Sequence, residues 1–257
     1  AANIIASGAE PLAITDCLNY GDPTDPEIFW ELHQSVQGMA DACREFNTPV
    51  ISGNVSLYNE NNGQAIHPTP MVGMVGLIKN IDRVIPSFVQ HPGDKVYLVG
   101  QTRDDYAGSE LQKMMTGDIS GIVKSFDLHH VHQYMQRLLT TMENGLVSSA
   151  HDLSEGGLGV ALAETVFKTD LGLKIDLADQ PATRLFSETP GRFIVTVAPE
   201  KATEFEQVLG KDAHLIGEVT NSHWLMVKLA NGKLNESVAK LQKTWEEAIP
   251  CQLKSKD

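Results

Sequence analysis

The chain has 257 residues, 42% of them hydrophobic and 21% charged, which is typical of a globular protein with one large domain or two smaller ones. Its net charge of −13 argues against a nucleic-acid-binding surface, which needs clustered lysine and arginine, but is compatible with ATP, which brings its own magnesium. No stretch approaches the ~20 apolar residues of a membrane span. The three cysteines, Cys17, Cys43 and Cys251, are far apart and form no Cys-x-x-Cys pair. We therefore expect no membrane contact, no zinc site, no disulfide framework and a reducing, cytoplasmic location.

The first 85 residues predict half of an α/β domain. The chain opens on a short helical stretch that Gly8 ends, and residues 11–16 form a predicted strand. Asp25 is placed to cap a long helix, a short strand follows at 50–51, and the apolar stretch 71–78 predicts a buried strand. Five apolar residues at helical spacing predict that one face of the long helix is buried: Ile28, Leu32, Met39, Cys43 and Phe46.

A stretch with prolines and a glycine at 81–95 predicts a junction, which divides the chain into domains at 1–85 and 93–257. The second domain is predicted to be mixed α/β with helices on one face. Strands are expected at residues 95–100, 146–150, 172–176, 192–198, 214–220 and 224–229. Helices are expected at residues 109–115, 128–144, 199–209 and 236–248, with another that ends near residue 168.

The first candidate site is the stretch Ser52-Gly53-Asn54-Val55-Ser56, which follows the short strand at 50–51. It places a glycine, a carboxamide and two hydroxyls at the tip of a strand. Such a tip can offer backbone N–H groups to a phosphate and neutral oxygens to a magnesium ion. The same pattern is also that of an ordinary turn rich in glycine and asparagine.

The second candidate site is the segment 151–158, which reads His-Asp-Leu-Ser-Glu-Gly-Gly-Leu at a strand-to-helix junction. Asp152 and Glu155 have the spacing of a capping box, which is a purely structural explanation. That explanation does not cover Gly156 and Gly157, where alanine would hold a helix better by roughly 1 kcal/mol each. Glycines here allow another backbone or a phosphate to approach the exposed N–H groups.

Other polar patterns in the chain are interpreted as structural. His129, His130 and His132 predict a solvated helix start, because no carboxylate or cysteine of suitable spacing stands beside them. His33 and His67 have the same interpretation. No serine has a neighbouring histidine–aspartate arrangement, and no Walker or Rossmann glycine motif is present in the sequence. A nucleotide site in this chain must therefore be of another design.

Four stretches of the chain closely resemble the family of formylglycinamide ribonucleotide amidotransferase, also called phosphoribosylformylglycinamidine synthase. They occur in order over most of the sequence: 10–21, 52–60, 151–158 and 186–193. Relatives in the wider superfamily carry a Gly-Gly-Glu-Thr type motif where this chain has Ser-Gly-Asn-Val-Ser. Either of the two candidate sites alone would give a weaker match than the four stretches together.

The resemblance implies an α/β (α+β) fold, with a truncated N-terminal-like domain and a complete C-terminal-like domain of the aminoimidazole ribonucleotide synthetase superfamily. Members of the family consist of two similar halves, and this chain resembles the second half without its first strands. We therefore expect a piece of a longer polypeptide whose N-terminal half is missing here. The motif at 52–60 resembles the synthetase subunit of the small, multi-subunit bacterial type. That type implies a separate glutaminase subunit, which supplies ammonia, and a small assembly subunit.

The family reaction converts formylglycinamide ribonucleotide, ATP, glutamine and water to formylglycinamidine ribonucleotide, ADP, phosphate and glutamate in purine biosynthesis. Carried over by motif, Asp16 and Gly53 contact ATP, Asn54 ligates Mg²⁺, and Ser56 contacts the ribonucleotide substrate. The family's general-base histidine and acidic magnesium ligands lie in the first half, which is absent here. The resemblance thus implies no catalytic residue in this chain and a partial active site that cannot turn over alone.

The stretch Ser187-Glu188-Thr189 parallels a substrate-binding stretch of the family's first half, but Pro190-Gly191 depart from that pattern. We expect it to be structural or to line a non-catalytic nucleotide pocket, and the same holds for residues 151–157. Two other interpretations of the whole chain stay open. One is another ATP-dependent member of the superfamily, acting on a small phosphorylated substrate. The other is a structural half that holds a nucleotide permanently as a scaffold.

Overall fold

The computed structural model describes residues 1–125 and 127–254 of the chain. The α-helices are α1 (Ala2–Ala6), α2 (Pro26–Phe46), α3 (Glu110–Thr116), α4 (Leu128–Glu143), α5 (Gly157–Glu164), α6 (Ala202–Leu209) and α7 (Val238–Lys254). The strands are β1 (Glu10–Asn19), β2 (Val50–Ser56), β3 (Glu60–Asn61), β4 (Gln64–Ala65), β5 (Thr69–Leu77), β6 (Lys95–Val99), β7 (Ser149–Asp152), β8 (Gly172–Leu177), β9 (Phe193–Val197), β10 (Ala213–Thr220), β11 (Trp224–Leu229) and β12 (Gly232–Ser237). None of the described helices combines the length and apolar character needed to cross a bilayer.

The first sheet has three strands in the order β2-β1-β5, with β1 parallel to β2 and antiparallel to β5. Helix α2 connects the two parallel strands, as parallel pairing requires. Its start is set by Asp25, whose carboxylate accepts the Glu27 N–H at 2.8 Å, and by Pro26 in the first turn. Its end is set by Asn47, which adopts a left-handed conformation with φ of 53°. This connection brings β1 and β2 side by side.

The first sheet is less buried than its apolar pattern predicts. The predicted face of α2 is indeed its less exposed face, but no residue of the helix is fully buried. The prediction of a buried strand at 71–78 is wrong, since β5 exposes Met71 by 60% and Val72 by 51%. A three-stranded sheet with one long helix has too few neighbours to cover both of its faces. Apolar periodicity in a sequence shows which face of a strand or helix can be buried. It does not show whether another element is present to bury that face.

The second sheet has seven strands in the order β12-β11-β8-β10-β6-β9-β7. Pairing is antiparallel except between β8 and β11, so β6, β7, β8 and β11 all run in the same direction. The central strands β6 and β9 are apolar on both faces and almost wholly buried. Strand β12 is not predicted from the sequence, because Gly-Lys-Leu-Asn-Glu-Ser is too polar to give a strand signal.

Helices cover both faces of part of the second sheet, so the prediction of helices on one face is wrong. Val96 and Leu98 of β6 join the core that includes α5 and residues packed against α7. Tyr97 and Val99 of the same strand join a second core with α4 and α6. Alternate residues of a strand point to opposite faces, so one apolar run serves both cores. Within residues 1–125 and 127–254, the β8-β11-β12 side of the sheet is covered on the first of these faces only.

The opening helix α1 packs against the second sheet as well as the first. Ile5 is fully buried and belongs to the same core as Tyr97 and Phe205. The division of the chain at 1–85 and 93–257 stays a prediction. Cys17 and Cys43 are free thiols, and the side chain of Cys251 lies outside the part of the chain that the structure describes.

Candidate functional site

The first candidate site lies where β1 and β2 run side by side at the edge of the three-stranded sheet. Asp16 pairs with Gly53 across the two strands. A Cβ atom built on Gly53 would lie 2.1 Å from the Asp16 Oδ1 atom. Glycine is therefore needed here because the Asp16 carboxylate lies directly against the neighbouring backbone. This contact brings the two residues expected to bind ATP together on one face of the sheet.

The other two predicted residues lie on the opposite face. The next pair in the register is Cys17 with Asn54, and side chains alternate along a strand. The Asn54 Nδ2 donates to the Cys17 Sγ at 3.7 Å, and the Asn19 Nδ2 donates to the same sulfur at 3.6 Å. Neither carboxamide oxygen has a hydrogen-bond partner within residues 1–125 and 127–254. Two neutral oxygens are thus available to a cation or a hydrogen-bond donor, and the one on Asn19 was not predicted from the sequence.

Ser56 lies at the end of β2, on the Asn54 face, in a turn that fixes its side chain. Its Oγ lies 3.2 Å from the Asn59 Oδ1, and the Asn59 Nδ2 donates to the carbonyl groups of Ser56 and Tyr20 at 2.9 and 3.0 Å. Tyr58 in the same turn has φ of 60°, a left-handed conformation that is costly for an aromatic residue. The strained turn keeps the serine hydroxyl next to the end of β1.

Both faces of this strand edge are accessible. Residues 50–55 of β2 are exposed, and Ser56 is half-buried. Within the described residues, no group of three or more His, Cys, Asp or Glu side chains is arranged to hold a metal ion. A magnesium ion at Asn54 would therefore need phosphate oxygens or ligands from another polypeptide segment to complete its shell.

In the second candidate site, at 151–158, the backbone is contacted by other parts of the same chain. Gly156 and Gly157 have φ of 75° and 62°, and a Cβ on Gly157 would lie 2.3 Å from the Ser187 carbonyl oxygen. The Glu188 carboxylate accepts the Gly156 N–H at 2.9 Å. The glycines therefore allow a neighbouring backbone segment to pack closely. The Gly156 N–H, which could have bound a phosphate, donates to the Glu188 carboxylate instead.

The capping box predicted within this segment is wrong. Helix α5 begins at Gly157 without a side-chain cap. The Asp152 carboxylate instead accepts the Ser154 hydroxyl at 3.0 Å, two residues along the chain. The left-handed glycine pair turns the backbone before the helix, so Asp152 and Glu155 do not have the relative placement that a capping box requires.

The stretch Ser187-Glu188-Thr189 is built around a buried arginine. Arg192 is fully buried and donates from Nε to the Thr189 carbonyl at 2.9 Å and from Nη1 to the Thr102 Oγ1 at 2.9 Å. Its second terminal nitrogen donates to the Ser187 carbonyl. Burial lowers the pKa of Arg192 to about 10, so the guanidinium remains charged at neutral pH. These contacts support the structural interpretation of the stretch.

The histidine cluster at the start of α4 is not simply solvated, so that prediction is wrong. His130 Nε2 lies 2.9 Å from Oδ1 of Asp212, a carboxylate that is almost fully buried. His129 and His132 both reach Oε1 of Glu45 in α2, at 2.8 and 3.0 Å. Their hydrogen bonds hold the pKa of Glu45 below its ordinary value. The sequence carried no signal for these contacts because the partners are distant along the chain.

The fold and the strand-edge site define a class of protein. The chain belongs to the AIR synthase related protein family, whose C-terminal domain matches residues 91–228 and whose N-terminal domain matches residues 1–78. This result confirms the predicted fold class. The particular relatives agree with the resemblance noted in the sequence.

Phosphoribosylformylglycinamidine synthase subunit PurL of Limosilactobacillus reuteri (strain DSM 20016) is 97% identical over 257 residues, which is 100% of this chain and 35% of that protein. The subunit of the same name from Limosilactobacillus fermentum is 72% identical, over 100% of this chain and 34% of that protein. A solved structure, T. maritima PurL complexed with FGAR, is 24% identical with a TM-score of 0.72, covering 93% of this chain and 40% of that one. The similarity to the T. maritima structure shows that the two chains share a fold. The chain spans about a third of the length of the two relatives.

Proposed function

We propose that this chain is part of an ATP-dependent carbon–nitrogen ligase, the synthetase subunit that converts formylglycinamide ribonucleotide to formylglycinamidine ribonucleotide with glutamine-derived ammonia. One observation carries the proposal: the whole chain is 97% identical to a relative named phosphoribosylformylglycinamidine synthase subunit PurL. The exposed edge of β2 gives the proposal a physical site, because it presents a carboxylate on one face and free amide oxygens, with the Ser56 hydroxyl beside them, on the other.

The residues at this edge have separate roles in the proposal. Asp16, seated on Gly53, accepts hydrogen bonds from hydroxyl or amino groups of ATP. Asn54 offers its free oxygen as a neutral ligand to Mg²⁺, a type of ligand that this hard cation accepts. Ser56 contacts the ribonucleotide. ATP that contacts both Asp16 and Asn54 has to reach over the edge of β2, since those side chains lie on opposite faces.

Magnesium, when bound with ATP, neutralises charge on the phosphates during phosphoryl transfer. The residues present here bind and orient the nucleotide, while the general base and the acidic metal ligands come from the rest of the longer polypeptide. The ribonucleotide substrate is supported by the T. maritima relative, which is solved with FGAR. A separate glutaminase subunit, a small assembly subunit and a cytoplasmic location belong to the same proposal.

The test uses the full-length subunit with ammonia as nitrogen donor. Asn54→Ala should lower kcat/KM by at least about tenfold, and raising the Mg²⁺ concentration should recover part of the loss. Asn61→Ala is the matched control, because Asn61 is an exposed residue of the neighbouring hairpin strand β3. Full activity in Asn54→Ala, or equal losses in the two variants, would refute the assigned role.

A second test concerns the 257-residue chain by itself. We expect it to form no formylglycinamidine ribonucleotide from ATP, ammonia and substrate, because it supplies only part of the site. Adding the missing N-terminal half of the subunit as a separate polypeptide should restore activity. Measurable turnover by the isolated chain would contradict the shared-site proposal.

A further inference from the structure

The side of the second sheet that carries β8, β10, β11 and β12 has one face without a helix in the described chain. Over β6 and β9, the same face is covered by α4 and α6, which pack on Tyr97 and Val99. Lys95 precedes Tyr97 by two residues and so lies on that face. Beyond it the sheet surface is open and forms a groove of about 890 Å³, bordered on one side by Pro199.

The groove is basic on a chain that is strongly acidic overall. Its charged lining consists of four lysines and two carboxylates: Lys95, Lys174, Lys228, Lys233, Asp176 and Glu218. The chain as a whole carries a net charge of −13. This sheet face therefore carries a net positive charge on a chain whose total charge is negative. Such a face favours a negatively charged partner.

The register of the strands shows which lysines are left without a carboxylate. Glu218 pairs across the sheet with Lys95 on β6 and with Lys174 on β8, but its carboxylate forms an ion pair with Lys174, at 3.1 Å. Lys95 forms no ion pair within the described residues. One end of the groove therefore carries an uncompensated positive charge.

The other end of the groove repeats this arrangement. Lys228 on β11 forms an ion pair with Asp176 at 3.2 Å. Lys233 on β12 lies directly opposite Lys228 across the two strands. Two like charges directly opposite each other destabilise a strand pair. Lys233 forms no ion pair within residues 1–125 and 127–254. This end of the groove thus carries a second lysine without a counter-charge, which an incoming anion would pair.

The groove also contains apolar surface, which distinguishes a protein partner from a simple polyanion. Leu215 is 53% exposed, and Met226 is half-buried between the lysines. Phosphate-rich ligands would leave this apolar surface in water, whereas an amphipathic helix would cover it. A helix in the groove would also continue the layer that α4 and α6 form over the neighbouring strands.

We propose that this groove is a docking surface for an acidic amphipathic helix of a partner protein. Lys95 and Lys233 lie four strand steps apart, which is about 19 Å at ~4.8 Å per step. A helix rises ~1.5 Å per residue, so acidic side chains about 13 residues apart would meet both lysines. The apolar face of that helix packs on Leu215 and Met226.

The test uses the 257-residue chain and a fluorescein-labelled peptide of about 18 residues, with leucine along one helical face and two glutamate clusters about 13 residues apart. Fluorescence anisotropy should show saturable binding that weakens as salt is raised. The double variant Lys95→Glu/Lys233→Glu should weaken binding by at least about tenfold. Lys168→Glu/Lys211→Glu, which makes the same charge change at exposed positions outside the groove, should bind as the wild type does.

Several outcomes would overturn the proposal. They are the absence of saturable binding, equal weakening in both double variants, and undiminished binding of a peptide in which lysine replaces every glutamate. A phosphate polymer without apolar groups that competes as strongly as the peptide would assign the surface to polyanions instead. Dimerisation of the chain that Lys95→Glu/Lys233→Glu abolishes would assign it to a second copy.

Discussion

At the scale of single residues, the strand-edge site depends on one atom being absent. Gly53 has no Cβ, and the Asp16 carboxylate occupies the place where that atom would be. The sequence identified Gly53 as part of a polar stretch expected at the tip of a short strand, whereas the structure places it inside β2 (Val50–Ser56). The sequence could not show that the neighbour is Asp16, 37 positions away, since that pairing follows from the parallel register. The residue type was predictable from the sequence, whereas its place within the strand and its contact with Asp16 were not.

Gly53→Ala should therefore impair ATP binding more than folding. The new methyl group meets the end of a flexible side chain, so Asp16 moves aside and the strand is kept. In the full-length subunit we expect the KM for ATP to rise by about tenfold, with a small change in Tm. Gly38→Ala in α2 is the control: nothing lies within 4 Å of its Cβ, and alanine should stabilise the helix by about 1 kcal/mol. An unchanged KM in Gly53→Ala would contradict the role of the contact.

At the scale of elements, long-range side-chain contacts fix how helices begin and how they meet. Glu188 accepts the N–H groups of Gly156 and Glu110 with the same oxygen, both at 2.9 Å, and so joins the starts of α5 and α3. Sequence patterns place helices well because periodicity and caps are local, as Asp25 shows for α2. They fail at Asp152 and Glu155 because the true anchor of α5 comes from a distant segment.

Removing this anchor should destabilise the second domain. Glu188→Ala leaves two backbone N–H groups without their charged acceptor, which should lower the free energy of unfolding by about 2–3 kcal/mol in a urea titration. Glu155→Ala is the matched control, because Glu155 is exposed and makes no side-chain hydrogen bond in the described chain. If Glu155→Ala proved the more harmful change, the capping-box interpretation would be right after all.

The contact between α2 and α4 should respond to acid. Hydrogen bonds from His129 and then His132 hold the pKa of Glu45 below its ordinary value of 4.5. A lowered carboxyl pKa contributes stability that is fully present above pH 4.5 and is lost as the pH falls through the lowered value. Wild type should therefore exceed Glu45→Gln in stability at pH 6, and the difference should vanish at more acidic pH. Glu31→Gln, on the same helix without an ion pair in the described chain, should show no such change.

At the scale of the whole molecule, the two sheets are very unequally covered. Strands β6 and β9 lie between two cores, whereas β2 and β5 expose most of their residues. Apolar composition gave both sheets similar strand signals, and only the tertiary structure shows that one lacks a covering layer. Trp30 on α2 is also 62% exposed. Such a surface fits a chain that spans about a third of the length of its relatives.

This inequality predicts a wide range of amide protection within one chain. Amides of β6 and β9 should exchange at least about 100-fold more slowly than amides of β5, because opening the central strands requires breaking both cores. Native-state hydrogen exchange with peptide-level mass spectrometry measures this directly. Equal protection of β5 and β9 would mean that the three-stranded sheet is covered in solution.

The placement of Asp16 and Asn54 on opposite sides of one pleated ribbon has an evolutionary consequence. In the proposed site a single ATP molecule reaches both sides, so a change on the carboxylate side and a change on the carboxamide side act on the same ligand. Their effects should therefore couple rather than multiply, and selection has to tune the two sides together.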